Sequence, residues 1–156
     1  MTTIYTIGHS NHKWETFLPL LKLHGIKLLA DVRSRPVSRF ASFTNKGRFS
    51  GLLAQESIEY LFMGESLGGK PEDPSLYDDD GKPDYGKMAR HIDFLAGIVD
   101  LVALAEKSAI AIMCSEGDPA QCHRSLLMTP AIEAQGAEVL HIRRTGEVTN
   151  QLPMNV

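Results

Sequence analysis

The stretch "SAIAIMCSEGDPAQCHRSLL", residues 108–127, joins a strand pattern to a helix pattern. Its first seven residues are apolar apart from Ser108, which is typical of a strand buried on both faces. Asp118 and Pro119 then form a favourable helix start, and we expect that helix to reach about Gln135. A buried strand that leads directly into a helix predicts one unit of a parallel α/β sheet.

The rest of the chain repeats this alternation. Four further runs have the composition of buried strands: residues 3–7, 26–32, 58–63 and 137–142. Three segments between them favour helices: residues 14–25, 50–57 and 86–106. The sequence therefore predicts an α/β fold in three layers, with a mainly parallel sheet flanked by helices in a Rossmann-like or flavodoxin-like arrangement.

Composition narrows the class of protein. A length of 156 residues favours a single α/β domain over residues 1–156, and a net charge of -3 gives no global signature of a nucleic-acid binder. The sequence has no long apolar run and no signal-peptide pattern, so we expect a cytoplasmic protein without a membrane partner. Residues 64–84 are rich in glycine, proline and acidic residues and predict a long acidic loop, a candidate lid.

Three polar loops follow predicted strands, at residues 8–12, 31–39 and 114–118. Because ligands of open α/β sheets bind beyond the carboxyl ends of the strands, we expect these loops to share one cleft. The loop at 31–39 carries Arg33, Arg35 and Arg39, whose close spacing favours a bound anion. Alternatively, it is a solvated basic loop that faces the acidic segment.

The other two loops suggest acid–base and anion chemistry. His9 follows the first strand and titrates near neutral pH, which suits an acid or a base. Arg124 lies in the first turn of the predicted helix, where free N–H groups favour anions. Alternatively, Arg124 pairs with Glu116 or another acid. Ser10 or Asn11 has the alternative role of capping the helix that begins at Trp14.

The two cysteines give further alternatives. Cys114, Cys122 and His123 offer three metal ligands, with His9 or His12 as a fourth. Their spacing is not that of a compact zinc site, so we assign no metal and leave the cofactor open. A reactive thiolate at the helix start is the other alternative.

Four blocks of sequence in order carry a resemblance: "YTIGHSNH" (5–12), "LLADVRSRPVSRF" (28–40), "IEYLFMGESLGG" (58–69) and "CSEGDPAQCHRSLL" (114–127). Together they resemble the Domain of Unknown Function 488 (DUF488) family. The resemblance implies a small α/β domain with a shared polar site and does not imply a settled reaction. The matching positions are His9, Asp31, Arg33, Ser38, Arg39, Glu65, Gly68, Gly69, Cys114, Glu116, Cys122, His123 and Arg124.

These patterns support one leading hypothesis, an enzyme that acts on a phosphate-bearing small molecule or nucleic acid in an arginine-lined cleft. The catalytic candidates are His9, Glu65, Glu116, Cys114 and Cys122. The substrate-binding candidates are Asp31, Arg33, Arg35, Ser38, Arg39, Gly68, Gly69, His123 and Arg124. Two alternatives stay open: a non-catalytic nucleotide or nucleic-acid binding module, and a thiol- or metal-dependent enzyme centred on Cys114 and Cys122.

Overall fold

One sheet organises the part of the chain that the computed structural model describes, residues 2–10, 12–39, 41–114 and 127–149. Its strands are β1 (Thr3–Gly8), β2 (Leu28–Asp31), β3 (Glu59–Phe62), β4 (Ile110–Cys114), β5 (Glu138–Ile142) and β6 (Val148–Thr149). They lie in the order β3-β2-β4-β1-β5-β6. The first five are mutually parallel, and β6 pairs antiparallel with β5.

Six helices accompany the sheet within the described ranges: α1 (Trp14–Leu23), α2 (Lys46–Ala54), α3 (Gly64–Leu67), α4 (Tyr85–Met88), α5 (Ile92–Ala105) and α6 (Thr129–Ala134). Buried residues of α1 and α2 pack on one face of the sheet, and those of α5 and α6 pack on the other. This layering confirms the predicted α/β class. No helix in these ranges has the length and apolarity needed to cross a membrane.

Strand β4, which the opening stretch predicts, occupies an inner position of the sheet. All five of its residues are buried, and successive residues face alternate layers. Ile110 and Ile112 join the core beneath α5, whereas Ala111 and Met113 join the core beneath α1. The continuous apolar run is therefore explained by burial on both faces of a parallel strand.

Three helical predictions differ from the structure. The helix expected over 86–106 is divided into α4 and α5, because the His91 side chain accepts a hydrogen bond from the Asp93 N–H and caps a new helix. Helix α2 begins at Lys46, earlier than expected. The predicted loop 64–84 contains α3 and a 3₁₀ turn at Pro74–Leu76.

The helix expected over 119–135 is described only from residue 127. A π turn at 127–128 leads into α6, and Pro130 lies in the first turn of that helix. Proline is tolerated there because the first N–H groups of a helix have no partner within it. The structure thus accommodates Pro130 by beginning the regular helix next to it.

The connections that leave the strands create a crevice at the carboxyl edge of the sheet. From β1 and β2 the chain continues to α1 and α2 on one face, whereas from β4 it continues to α6 on the opposite face. Strand β4 lies between β2 and β1, so the connections diverge on both sides of its end. Ligands of open α/β sheets bind where connections diverge in this way.

Candidate functional site

A buried ion pair follows β2. Arg33 Nε donates to Asp31 Oδ1 at 2.9 Å, and Arg33 Nη2 donates to Asp31 Oδ2 at 2.7 Å. The Asp31 side chain is fully buried, and that of Arg33 is 3% exposed. A two-point contact of this kind fixes the guanidinium plane as well as its charge.

Two neighbours complete this pair. Thr44 Oγ1 accepts from Arg33 Nη1 at 2.9 Å, and the Thr44 carbonyl accepts from Arg33 Nη2 at 2.6 Å. The Tyr60 hydroxyl donates to Asp31 Oδ2 at 2.7 Å. Burial and the Asp31 carboxylate raise the pKa of Tyr60, so the phenol stays a donor.

The network therefore uses nearly all of the hydrogen-bonding capacity of Asp31 and Arg33. Asp31 accepts four hydrogen bonds, two at each oxygen, when the Arg33 backbone N–H is included. Arg33 uses four of its five side-chain N–H donors, which leaves one hydrogen on Nη1. The direct effect of Arg33 is to fix the start of the loop that carries Arg35 and Arg39.

His9 follows β1 and is also buried, but its hydrogen bonding differs from that of Arg33. It is 3% exposed, and its ring Nδ1 lies 2.9 Å from the Ser10 carbonyl oxygen. Because a carbonyl oxygen only accepts, Nδ1 carries the proton and Nε2 carries the lone pair. Nε2 is buried and has no hydrogen-bond partner among the described residues. A buried polar atom without a partner is uncommon and points to a ligand or a chemical role.

The surroundings keep His9 neutral. Burial, which disfavours the charged imidazolium, lowers the pKa of His9 to about 4, and the nearby Arg33 charge acts in the same direction. At neutral pH the imidazole therefore presents an unprotonated nitrogen. The His9 backbone N–H donates to the Cys114 carbonyl at 3.0 Å, so the residue lies at the crevice beside β4.

A tight turn holds His9 in place. Ser10 has a φ of 47°, in the left-handed region that is unfavourable for residues with a side chain. The His12 N–H donates to the His9 carbonyl at 3.0 Å and closes the turn. Burial and the Arg144 charge lower the pKa of His12. Non-glycine residues in this conformation are found preferentially at functional sites.

Two arginines in the loop after β2 are available to a ligand. Arg35 and Arg39 are exposed, and neither makes an ion pair within the described residues. The Ser38 N–H donates to Asn45 Oδ1, and Ser38 Oγ accepts from the Ala41 N–H. Ser38 therefore shapes the loop segment that carries Arg35 and Arg39.

Two further arginines follow β5, and the sequence reasoning missed them. Arg143 is partly buried, and its Nη1 is buried without a hydrogen-bond partner among the described residues. Arg144 Nη1 donates to Ser10 Oγ at 3.3 Å, which connects this segment to the His9 turn. Ligands of open α/β sheets bind beyond the carboxyl ends of the strands, and this rule applies equally to β5, the last parallel strand. The rule could therefore have identified these two arginines from the sequence.

Glu65 and Gly68 lie on the β3 side of the edge. Together with Ser34 they line a cavity of about 460 Å³. A Cβ atom on Gly68 would lie 2.3 Å from Ser34 Oγ, and one on Gly64 would overlap the Arg33 carbonyl. Glycine is required at both positions because α3 packs against the backbone after β2. Gly69 is adjacent in sequence and does not line this cavity.

The remaining sequence candidates are described only in part. Glu116, Cys122, His123 and Arg124 lie outside the described residues. Cys114 is described and is disulfide-bonded, so thiolate chemistry at Cys114 would first require reduction of that bond. No group of three or more potential metal ligands occurs within the described ranges.

Comparison with known proteins identifies the family. The model of DUF488, described as a domain of unknown function, matches residues 13–129, which are 117 of the 156 residues. The chain belongs to the DUF488 family. No curated protein and no solved structure matches it.

The DUF488 match divides the candidate site. Asp31, Arg33 and Glu65 lie within the matched segment. His9 precedes that segment, and Arg143 follows it. The buried ion pair thus belongs to the part of the chain that the family model covers. The two buried nitrogens that have no partner among the described residues lie outside it.

Proposed function

We propose that this DUF488 protein is an enzyme that binds a phosphate-bearing substrate, a nucleotide or a nucleic acid, in the crevice at the carboxyl edge of its sheet. The observation that carries the proposal is His9 Nε2, a buried nitrogen at the point where the connections diverge that has no hydrogen-bond partner among the described residues. A neutral imidazole held by a carbonyl at Nδ1 is a suitable general base.

The arginines supply the anion-binding half of the proposal. Arg35 and Arg39 follow β2 and are exposed, while Arg143 and Arg144 follow β5. The Arg143 guanidinium has a buried nitrogen without a partner in the described ranges. An anion there would satisfy this buried nitrogen, and guanidinium groups bind phosphate with two parallel hydrogen bonds.

Substrate charge also adjusts the base. A pKa of about 4 makes His9 a weak base in the free protein. A phosphate group nearby favours the imidazolium and raises the pKa toward neutrality, where proton transfer is most efficient. The site would then become catalytically competent when the anion binds.

A turnover experiment with matched variants tests this function. The protein is screened with a guanine and an adenine nucleotide and with short single-stranded DNA and RNA, first for thermal stabilisation and then for product formation. We expect Arg35→Ala combined with Arg39→Ala to weaken binding, and His9→Gln to reduce turnover by about 10²–10⁴-fold without loss of binding. Lys27→Ala removes an exposed charge at the amino end of β2 and serves as the control.

The outcomes separate the alternatives. Binding that the arginine variants weaken, without turnover of any ligand, would identify a binding module instead of an enzyme. Binding that is equal in Lys27→Ala and in the double arginine variant would show that Arg35 and Arg39 do not bind the ligand. Full turnover in His9→Gln would show that His9 is not the general base.

A further inference from the structure

The cavity beside Ser34 has an apolar floor. Leu76, Met88 and Phe94 line it and are each at most 9% exposed. Its volume of about 460 Å³ lies in the range of small-molecule sites, which span about 300–1,000 Å³. The floor offers a surface on which a planar ring of nucleoside size can pack.

The rim of the cavity is rich in hydrogen-bond acceptors. Four carboxylates line it, from Glu65, Glu72, Asp73 and Asp93, and Lys70 and His91 are the only basic lining residues in the part of the chain that the structure describes. Asp73 accepts from the N–H and the hydroxyl of Ser75, which hold its pKa below the usual range. Glu65 and Glu72 make no ion pair or hydrogen bond with the described residues.

This acceptor-rich rim selects a class of ligand. A carboxylate repels phosphate and accepts hydrogen bonds from N–H groups. Two adjacent N–H donors on one edge of a ring match the two oxygens of one carboxylate, as they do in arginine–carboxylate pairs. A base that offers one N–H between two carbonyls presents acceptors to the carboxylate and is disfavoured.

The wall of the cavity connects it to the proposed anion site. Ser34 Oγ accepts from the Lys70 N–H at 2.8 Å, and Gly68 packs directly against Ser34. Ser34 is bonded to Arg33 and Arg35, so the cavity wall and the arginine loop after β2 share one backbone segment. Arg35 follows Ser34 directly and is exposed, so it is the arginine that we expect to meet the phosphate of a ligand whose ring lies in the cavity.

We infer that the cavity binds the base of the substrate and that it selects a guanine-type base, whose adjacent ring N–H and amino group form the donor edge. This inference deepens the proposed function and rests on it for the phosphate. Glu65 and Glu72 are the specificity residues, and the apolar floor favours a planar ring over a linear amine.

Isothermal titration of the full chain with nucleosides tests the inference without a phosphate group. We expect guanosine to bind and uridine to bind at least about tenfold more weakly, since one hydrogen bond to a charged group is worth about a factor of ten or more. The double variant Glu65→Gln with Glu72→Gln should weaken guanosine binding by at least about tenfold. Glu106→Gln, an exposed change at the end of α5, should leave it unchanged.

Each outcome supports or overturns the inference. Equal binding of guanosine and uridine, no binding of guanosine, or displacement of guanosine by equimolar putrescine would overturn it. Guanosine monophosphate separates this inference from the proposed function. If guanosine binds and the monophosphate binds no better, the base site stands and the anion site fails. If the monophosphates of guanosine and uridine bind equally through the arginines, the anion site stands and the base site fails.

Discussion

Two buried polar side chains at the same edge of the sheet differ in one respect. Arg33 is surrounded by acceptors and spends four of its five N–H donors on Asp31 and Thr44. His9 is equally buried, but its Nε2 has no partner in the described ranges. The difference separates a group that holds the fold from one that is free to react. Burial alone does not mark a functional residue, whereas burial without a partner does.

The largest expected effect concerns the saturated side of this comparison. Replacing Arg33 by Leu leaves the Asp31 carboxylate buried without a counter-charge and should lower the free energy of unfolding by about 3–5 kcal/mol. Arg35→Leu changes an exposed arginine two residues away and should change that free energy by less than about 0.5 kcal/mol. Urea unfolding of both variants measures the contrast, and similar values for the two would contradict the structural role of Arg33.

The second effect concerns the unsaturated side and depends on pH. The pKa of His9 is about 4 in the folded protein and about 6.5 in the unfolded chain, so the unfolded chain binds more protons between these values. The stability that the uncharged His9 side chain contributes is therefore fully present above pH 6.5. It is lost as the pH falls through 4, and the free energy of unfolding then decreases by up to about 3 kcal/mol.

The variant His9→Gln isolates this contribution. Urea unfolding of both proteins from pH 7 to pH 4 should show a steeper loss of stability for the wild type. Parallel curves would show that His9 has an ordinary pKa and is not shielded from solvent.

The third effect tests how closely α3 packs on the loop after β2. Gly68→Ala places a methyl group 2.3 Å from Ser34 Oγ and should cost about 2 kcal/mol of stability. Gly47→Ala is the matched control, because a Cβ at that position in α2 has no neighbour within 4 Å. It should be neutral or stabilise the helix by up to about 1 kcal/mol. Equal thermal unfolding midpoints would show that this contact is loose.

The smallest effect concerns the outer member of the saturated network. Tyr60→Phe removes one of four hydrogen bonds to Asp31 and should lower the free energy of unfolding by about 1.5 kcal/mol. Tyr5→Phe changes a partly buried tyrosine outside the network and provides the control. A Tyr60→Phe protein as stable as the control would show that Asp31 does not depend on the phenol.

Sequence periodicity predicted most of the sheet because its strands are apolar runs. The continuous apolar run at 108–114 identified β4, and the helix predicted over 14–25 is observed as α1, two residues shorter at its end. The division of α4 from α5 was not predictable in the same way, because histidine is not a usual helix cap. Strand β6 has two residues and leaves no periodicity to detect.

The sequence predicted where the residues of the candidate site lie, but not which of their side chains form hydrogen bonds with each other. Loop placement brought His9, Asp31 and Arg33 to one edge, since parallel strands end on the same side. The sequence does not show that Asp31 and Arg33 bind each other, because that depends on Thr44 and Tyr60 arriving from distant segments. Arg143 follows the last parallel strand, so its position was predictable by the same rule, but no feature of the sequence shows that its Nη1 is buried without a partner among the described residues.

The most direct test of the central claim is the titration of the His9 imidazole by nitrogen–proton NMR, with and without guanosine monophosphate. We expect the free protein to show the Nδ1–H tautomer with a pKa of about 4, and the nucleotide to shift that pKa toward neutrality. A His9 that titrates near 6.5 in the free protein, with no change when the nucleotide is added at saturating concentration, would contradict both the buried base and the anion beside it.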